Sequence, residues 1–313
     1  MHLAPEVENS ADAPDVFGER ILQVKLVDFW KRQCLTTRPE YDVLAAQERY
    51  DKFCTEFLLT MPPAFSLEPD TRWDSRLPKL GLQRQILHIA IFDSLCYNFR
   101  PALLQDCTQV ELLPGYKQVL LSSHKKALAS AALKVLERAS TLHNMIGESH
   151  NRYPGIIIPT FEAAVPLLCL CADPGFPGET MDACLTAGRP HPLLTGMANL
   201  TRNECIQAIK DAVERLQALA ELSKMAESGA QALASLIARI EFPSTQGQHQ
   251  SNIIGTIDPT IQLIEAWKEE QMGNIGGAFT VRGTNSTFPV NWGGMEDLGE
   301  SSWDKGSLPF SDI

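Results

Sequence analysis

The chain has 313 residues, 44% of them hydrophobic and 21% charged, the make-up of a folded globular protein long enough to bury a substantial core. Its net charge of −11 argues against a nucleic-acid surface, because phosphate contacts need clustered Lys and Arg. No Gly-x-Gly-x-x-Gly after a strand, phosphate-binding loop, Gly-x-Ser-x-Gly or His-Glu-x-x-His occurs, so the sequence offers no enzyme signature.

Residues 1–16 are polar and are predicted to be disordered. Ile21, Leu22, Val24, Leu26, Val27, Phe29 and Trp30 then mark a first helix. Tyr41, Leu44, Ala45, Tyr50, Phe53, Phe57 and Leu58 mark a second over 40–60, which Pro62-Pro63 ends. Residues 73–104 form the centre of the chain: Trp73-Asp74-Ser75-Arg76-Leu77-Pro78, then Gln83-Arg84-Gln85 opening an apolar run that closes on Asn98-Phe99-Arg100-Pro101. At about 100° per residue, Gln83, Arg84, His88, Ser94 and Asn98 share one side, and most of the remaining girth is apolar, as in an interior helix. Asp93 and Arg100 lie on the opposite arc, where burial without a partner is costly. They are predicted to be partnered, with each other or with a neighbour. Among the carboxylates only Asp93 falls on a strongly apolar face, where a structural ion pair outweighs a catalytic role. Pro101 biases Arg100 away from helical geometry, so the run stops or kinks there.

A long helix is predicted from Tyr116 to His150, with Lys125-Lys126 on a solvated face. Ile156 to Ala172 is the most apolar segment, but Pro159, Glu162 and Pro166 interrupt it and it falls short of the roughly 20 residues of a membrane helix. It is read as a core helix. The eight cysteines lack Cys-x-x-Cys spacing, and Cys169-x-Cys171 puts its thiols on different sides of a helix, as buried small hydrophobes. With no secretory signal, reduced intracellular thiols are expected. Residues 173–199 are rich in Gly and Pro and read as loop. Thr201-Arg202-Asn203-Glu204 is a capping box opening one helix. Gly229 is taken to break that helix from a second that carries Leu233, Leu236 and Ile237, and Asp258-Pro259 opens a last one.

Several of these pieces occur in an order that resembles the regulatory "middle homology" domain of the fungal-specific binuclear-zinc-cluster transcription factors. The family's Leu-Pro-Pro-like step is matched by Met61-Pro62-Pro63-Ala64-Phe65, and its segment around Trp73 by Pro69-Asp70-Thr71-Arg72-Trp73-Asp74. Its Gln-Arg is matched by Gln83-Arg84, and its Arg-Pro-x-Leu by Arg100-Pro101-Ala102-Leu103, with Pro78 between the segments. The resemblance implies an all-α regulatory domain over 17–271 and a nuclear role in transcription. Its implied partners are the transcription machinery, a DNA-binding partner or homologous regulator, or a small-molecule inducer, with neither nucleic acid nor membrane bound by this chain. The family's zinc cluster needs two Cys-x-x-Cys pairs, each followed by a third cysteine, which this sequence lacks. No cofactor is therefore expected here, zinc belonging only to an absent N-terminal cluster, and the chain is expected to be a fragment or a form without that module. A helical interaction scaffold and a helical enzyme with a hidden site are the competing readings. Residues 272–313 are predicted to be a disordered acidic tail, in which Phe288, Trp292, Trp303 and Phe310 stand among carboxylates. That is the composition of an activation segment, or of a tail docked by its aromatics.

Overall fold

A computed structural model describes residues 14, 18–34, 41–105, 110–147, 154–173, 175–177 and 200–239. The predicted termini, the 178–199 loop, the helix from Asp258 and the tail with Phe288, Trp292, Trp303 and Phe310 lie outside the described residues. Within them every regular element is helical, as the periodicity predicts.

Helix α1 (Gly18–Cys34) sets Leu22, Leu26, Phe29 and Trp30 inward while Ile21 and Val24 face solvent. A Cβ on Gly18 would meet the Phe65 ring at 2.7 Å, so the helix begins hard against the turn that carries Phe65. Helix α2 (Val43–Lys52) starts where the Asp42 carboxylate accepts the Leu44 N–H at 3.3 Å. It runs on through a π turn (Phe53–Phe57) and a 3₁₀ turn (Leu58–Thr60) before Pro62-Pro63 deny further amides. Phe29, Trp30, Phe53 and Phe57 form an aromatic cluster with neighbouring ring centroids 5.2–5.4 Å apart, which ties α1 to the π turn.

Helix α3 (Leu80–Phe99) is buried over most of its girth and passes into a 3₁₀ turn (Arg100–Leu104), the change of geometry expected at Arg100-Pro101. Helix α4 (Gly115–Ile146) lies between α3 and helix α5 (Pro154–Ala172) and ends at Gly147, whose φ of 70° suits glycine and whose N–H returns to the His143 carbonyl. Lys126 is 4% exposed, and its neighbour Lys125 pairs with Asp173 at 3.0 Å. The solvated face predicted there is thus corrected, because α4 is covered on both flanks.

Helix α5 has the length and hydropathy of a spanning helix, yet 94% of its apolar window is buried among the other helices. Pro159 and Pro166 lie inside it and deprive the Gly155 and Glu162 carbonyls of their usual amide partners. Helices α6 (Arg202–Ala220) and α7 (Lys224–Arg239) follow and pack on α5 and on each other. The Thr201 hydroxyl accepts the Glu204 N–H at 3.1 Å, so the threonine half of the predicted capping box forms. The break between α6 and α7 lies at Glu221–Ser223, while Gly229 is buried inside α7. An interior glycine costs a helix only about 1 kcal/mol, which packing outweighs. One continuous apolar core runs from Leu22 in α1 to Leu236 in α7.

Candidate functional site

The motif-bearing segment 61–78 is held to α3 by two side chains on the polar side of that helix. Arg84, 3% exposed, grips Asp74 through both terminal nitrogens at 2.7 Å. Its Nε donates to the Ala64 carbonyl, and Nη2 also donates to the Asp70 carbonyl at 2.8 Å. One guanidinium thereby orders three points of a loop, which its planar fork of five donors suits and a lysine could not match. One turn further along α3, His88 Nε2 faces the Phe65 and Ser66 carbonyls at 3.1 and 3.0 Å. Both neighbours accept only, so Nε2 carries the proton. Burial pulls the His88 imidazole below its ordinary range. It therefore serves as a neutral donor.

The loop presents the motif residues at different depths. Trp73 is buried, with the Arg72 and Arg76 guanidinium carbons 5.9 and 5.4 Å from its ring centroid. Pro78 is exposed just before α3, and Gln83 is half-buried in its first turn. Arg84 is thus the hub, with Trp73 and Asp74 on the segment it holds.

At the other end of α3, Asn98 accepts from Arg49 Nε at 2.8 Å and donates to the Ala46 carbonyl at 3.1 Å, fixing α2. His124 of α4 lies close by, its Nδ1 2.8 Å from the Tyr41 hydroxyl and its Nε2 3.0 Å from Gln47 Oε1. Burial first, and the Arg49 charge second, pull the His124 imidazole down to about 4. Asp93 and Arg100 are both half-buried and flank Cys96. Burial chiefly pushes the Cys96 thiol up, with the Asp93 charge adding to the rise and that of Arg100 opposing it. Arg100 Nε is buried without a hydrogen-bond partner in the described residues, and Pro101 sits half-buried in the 3₁₀ turn.

Sequence reasoning treats Asp93 as the only carboxylate on an apolar face, and the structure corrects this. Glu19 and Glu162 are each 2% exposed. Burial pushes the Glu19 carboxyl up to about 7, and the Gln23 amide donates to it. Sequence reasoning also overlooked His124, whose partners Tyr41 and Gln47 are too distant along the chain for spacing to signal, and Arg202. Arg202 donates to the Cys171, Asp173 and Phe176 carbonyls, the first two at 2.9 and 2.7 Å, at the end of α5. The described residues hold no group of three His, Cys, Asp or Glu placed to share a metal ion. Arg84, His88 and Arg202 are satisfied mainly by main-chain carbonyls, an arrangement that orders segments.

No family model matches the chain, and no solved structure resembles it. It is 40% identical over 269 residues to "Transcription factor xilB" of Penicillium rubens, an alignment of 83% of this chain and 39% of that protein. It is 36% identical over 247 residues to "Probable transcription factor sol4" of Alternaria solani, covering 77% of this chain and 44% of that one. The chain therefore spans about two fifths of the length of these curated relatives. Identity of this degree across most of a helical core means that the chain belongs to a fungal transcription factor family.

Proposed function

We propose that the chain is a transcription regulator acting as the middle-homology effector module of its family, through contacts with proteins or small molecules and without catalysis. The observation that carries this reading is the alignment of 83% of the chain with a transcription factor more than twice its length. The module occupies a share of its relatives that leaves ample room for a separate DNA-reading unit. In this proposal a zinc cluster, on the same polypeptide or on a homologous partner, reads DNA in the nucleus. The acidic balance of −11 supports leaving DNA contact to that unit, since phosphate repels such a surface. Residues 272–313 contribute the activating contact, with Phe288, Trp292, Trp303 and Phe310 as the anchors for a partner's groove.

The test joins the whole chain to an unrelated DNA-binding domain upstream of a reporter in a fungal nucleus. Expression is expected to change several-fold, and alanine at Trp292, Trp303 and Phe310 is expected to remove the change without lowering the melting temperature. A silent fusion that is well expressed and nuclear would refute the effector reading. If instead the triple variant melts lower, the tail's aromatics are structural.

A further inference from the structure

The end of α5 meets the start of α6 through a pair of thiols. Cys171, next to last in α5, and Cys205, in the first turn of α6, are both fully buried and hydrogen-bonded to each other through their sulfurs. Cys171 Sγ also lies 4.0 Å from the Arg202 carbonyl oxygen, while the Arg202 side chain donates to the Cys171 carbonyl at 2.9 Å. The Arg202 clamp therefore holds the two sulfurs together at the joint and brings a positive charge to Cys171.

The five described cysteines are all free thiols, and their surroundings divide them. Burial pushes the Cys54 thiol up to about 11 and the Cys169 thiol up to about 12, and it raises that of Cys96 as well. Cys171 moves the other way, chiefly because the Cys205 thiol donates to its sulfur; burial opposes the fall and the Arg202 charge adds to it. The same hydrogen bond, with burial second, pushes the Cys205 thiol up. One sulfur thus gains the anionic character that attacks an electrophile, and the other stays protonated beside it, placed to resolve the product.

We propose that Cys171 and Cys205 form a peroxide-sensitive dithiol that closes to a disulfide across the joint between α5 and α6. The Cys171 thiolate attacks one oxygen of hydrogen peroxide, the O–O bond breaks, and the departing hydroxide takes up the proton that Cys171 lost. The Cys205 sulfur then attacks the Cys171 sulfenic acid, the S–O bond breaks, and a second water leaves with the Cys205 proton. Two thiols are oxidised by two electrons and one peroxide is reduced to two waters. Peroxide reaches the buried pair when the two helix ends part, a local opening that costs less than unfolding the core. The new bond fastens covalently a joint that Arg202 otherwise holds by hydrogen bonds, and exchange with a dithiol reverses it.

The purified full chain is treated with hydrogen peroxide while folded, quenched with catalase, unfolded in N-ethylmaleimide and mapped by peptide mass spectrometry. The main product is expected to be a peptide pair linked through Cys171 and Cys205, absent after dithiothreitol and still formed in Cys169→Ala. Cys205→Ala is expected to collect oxygen on Cys171, with no thiol left to resolve it, whereas Cys171→Ala is expected to leave Cys205 reduced. The wild-type map needs no variant to fold. The proposal is overturned if Cys171 and Cys205 of the folded wild type both remain fully alkylated, or if other cysteines are linked in preference. It is equally overturned if chain unfolded in urea before the peroxide gives the same mixture of disulfides, since the fold would then select nothing. Oxidation of Cys205 in Cys171→Ala at the wild-type rate also overturns it. A silent reporter leaves this site untouched, because the purified chain alone is measured.

Discussion

Arg84 shows how one side chain turns a weak motif into a structural requirement. It is buried, and its acceptors include two main-chain carbonyls that no nearby side chain replaces. Arg84→Met strands those carbonyls and the Asp74 carboxylate together, and is expected to cost about 3 kcal/mol in urea unfolding. Asp74→Asn is expected to cost about 1 kcal/mol, because the Asp74 side chain is 41% exposed and water compensates it. Equal losses would show that the carboxylate, and not the loop carbonyls, is what Arg84 secures. Arg100 supplies the contrast. Its Nε has no acceptor in the described residues, so Arg100→Met is expected to cost less than Arg84→Met, measured against an exposed control such as Lys210→Met. His124 adds a pH dependence whose sign is fixed by burial. Its folded pKa of about 4 lies below the ordinary 6.5, so between those values the unfolded chain takes up a proton that the fold refuses. This share of stability is complete above about pH 6.5 and is lost as pH falls toward 4. Between pH 7 and pH 4.5 the wild type should therefore lose about 2 kcal/mol more than His124→Gln, and parallel losses would place the imidazole in water.

At the scale of elements, α3, α5 and the α6 cap were legible because their signals are local. A run apolar on most faces, an apolar block interrupted only by Pro159, Glu162 and Pro166, and Thr201 three residues before Glu204 are each signals within one element, although α5 proves as long as a spanning helix and is told from one by its burial. The α6–α7 break was misplaced because Gly229 is a local signal that packing overrides. Lys126 was misjudged because nothing within α4 tells a covered flank from a wet one. Arg202 could not be foreseen at all. Its role depends on α5 ending within reach of the start of α6, a juxtaposition 31 residues apart in sequence. There it gives the carbonyl end of α5 a cation, favourable to the helix dipole as well as to the individual acceptors. Arg202→Gln keeps some hydrogen-bonding capacity and loses the charge and the fork, and is expected to cost about 2 kcal/mol. Hydrogen exchange should then rise first in the last turn of α5 and the first turn of α6. Uniform acceleration over all helices would mean that the clamp serves global stability and not this joint.

For the whole molecule, the shared core matters more than any single helix. Leu22 and Leu236 belong to one apolar cluster, with a smaller one of Val43, Ala102 and Leu121 joining α2 to α4 beside it. Trp73, Arg84 and the motif residues around them sit near one end of this assembly, on α3 and the segment it holds, while α7 lies beyond α5 and α6. The effector role proposed above needs the parts of the chain to feel one another, and cooperative unfolding is the simplest measure of such coupling. Leu233 in α7 is fully buried, so Leu233→Ala removes packed methyl groups at a cost of about 2 to 5 kcal/mol. If the core is one cooperative unit, that substitution lowers the opening free energy of the most protected amides in α3 by the same amount as those in α7, read by hydrogen exchange with mass spectrometry. Slowly exchanging peptides of α3 that keep their wild-type protection, beside faster ones in α7, would divide the protein into two units. The segment around Trp73 and Arg84 would then respond to events at α6 and α7 only through direct contact and not through the fold.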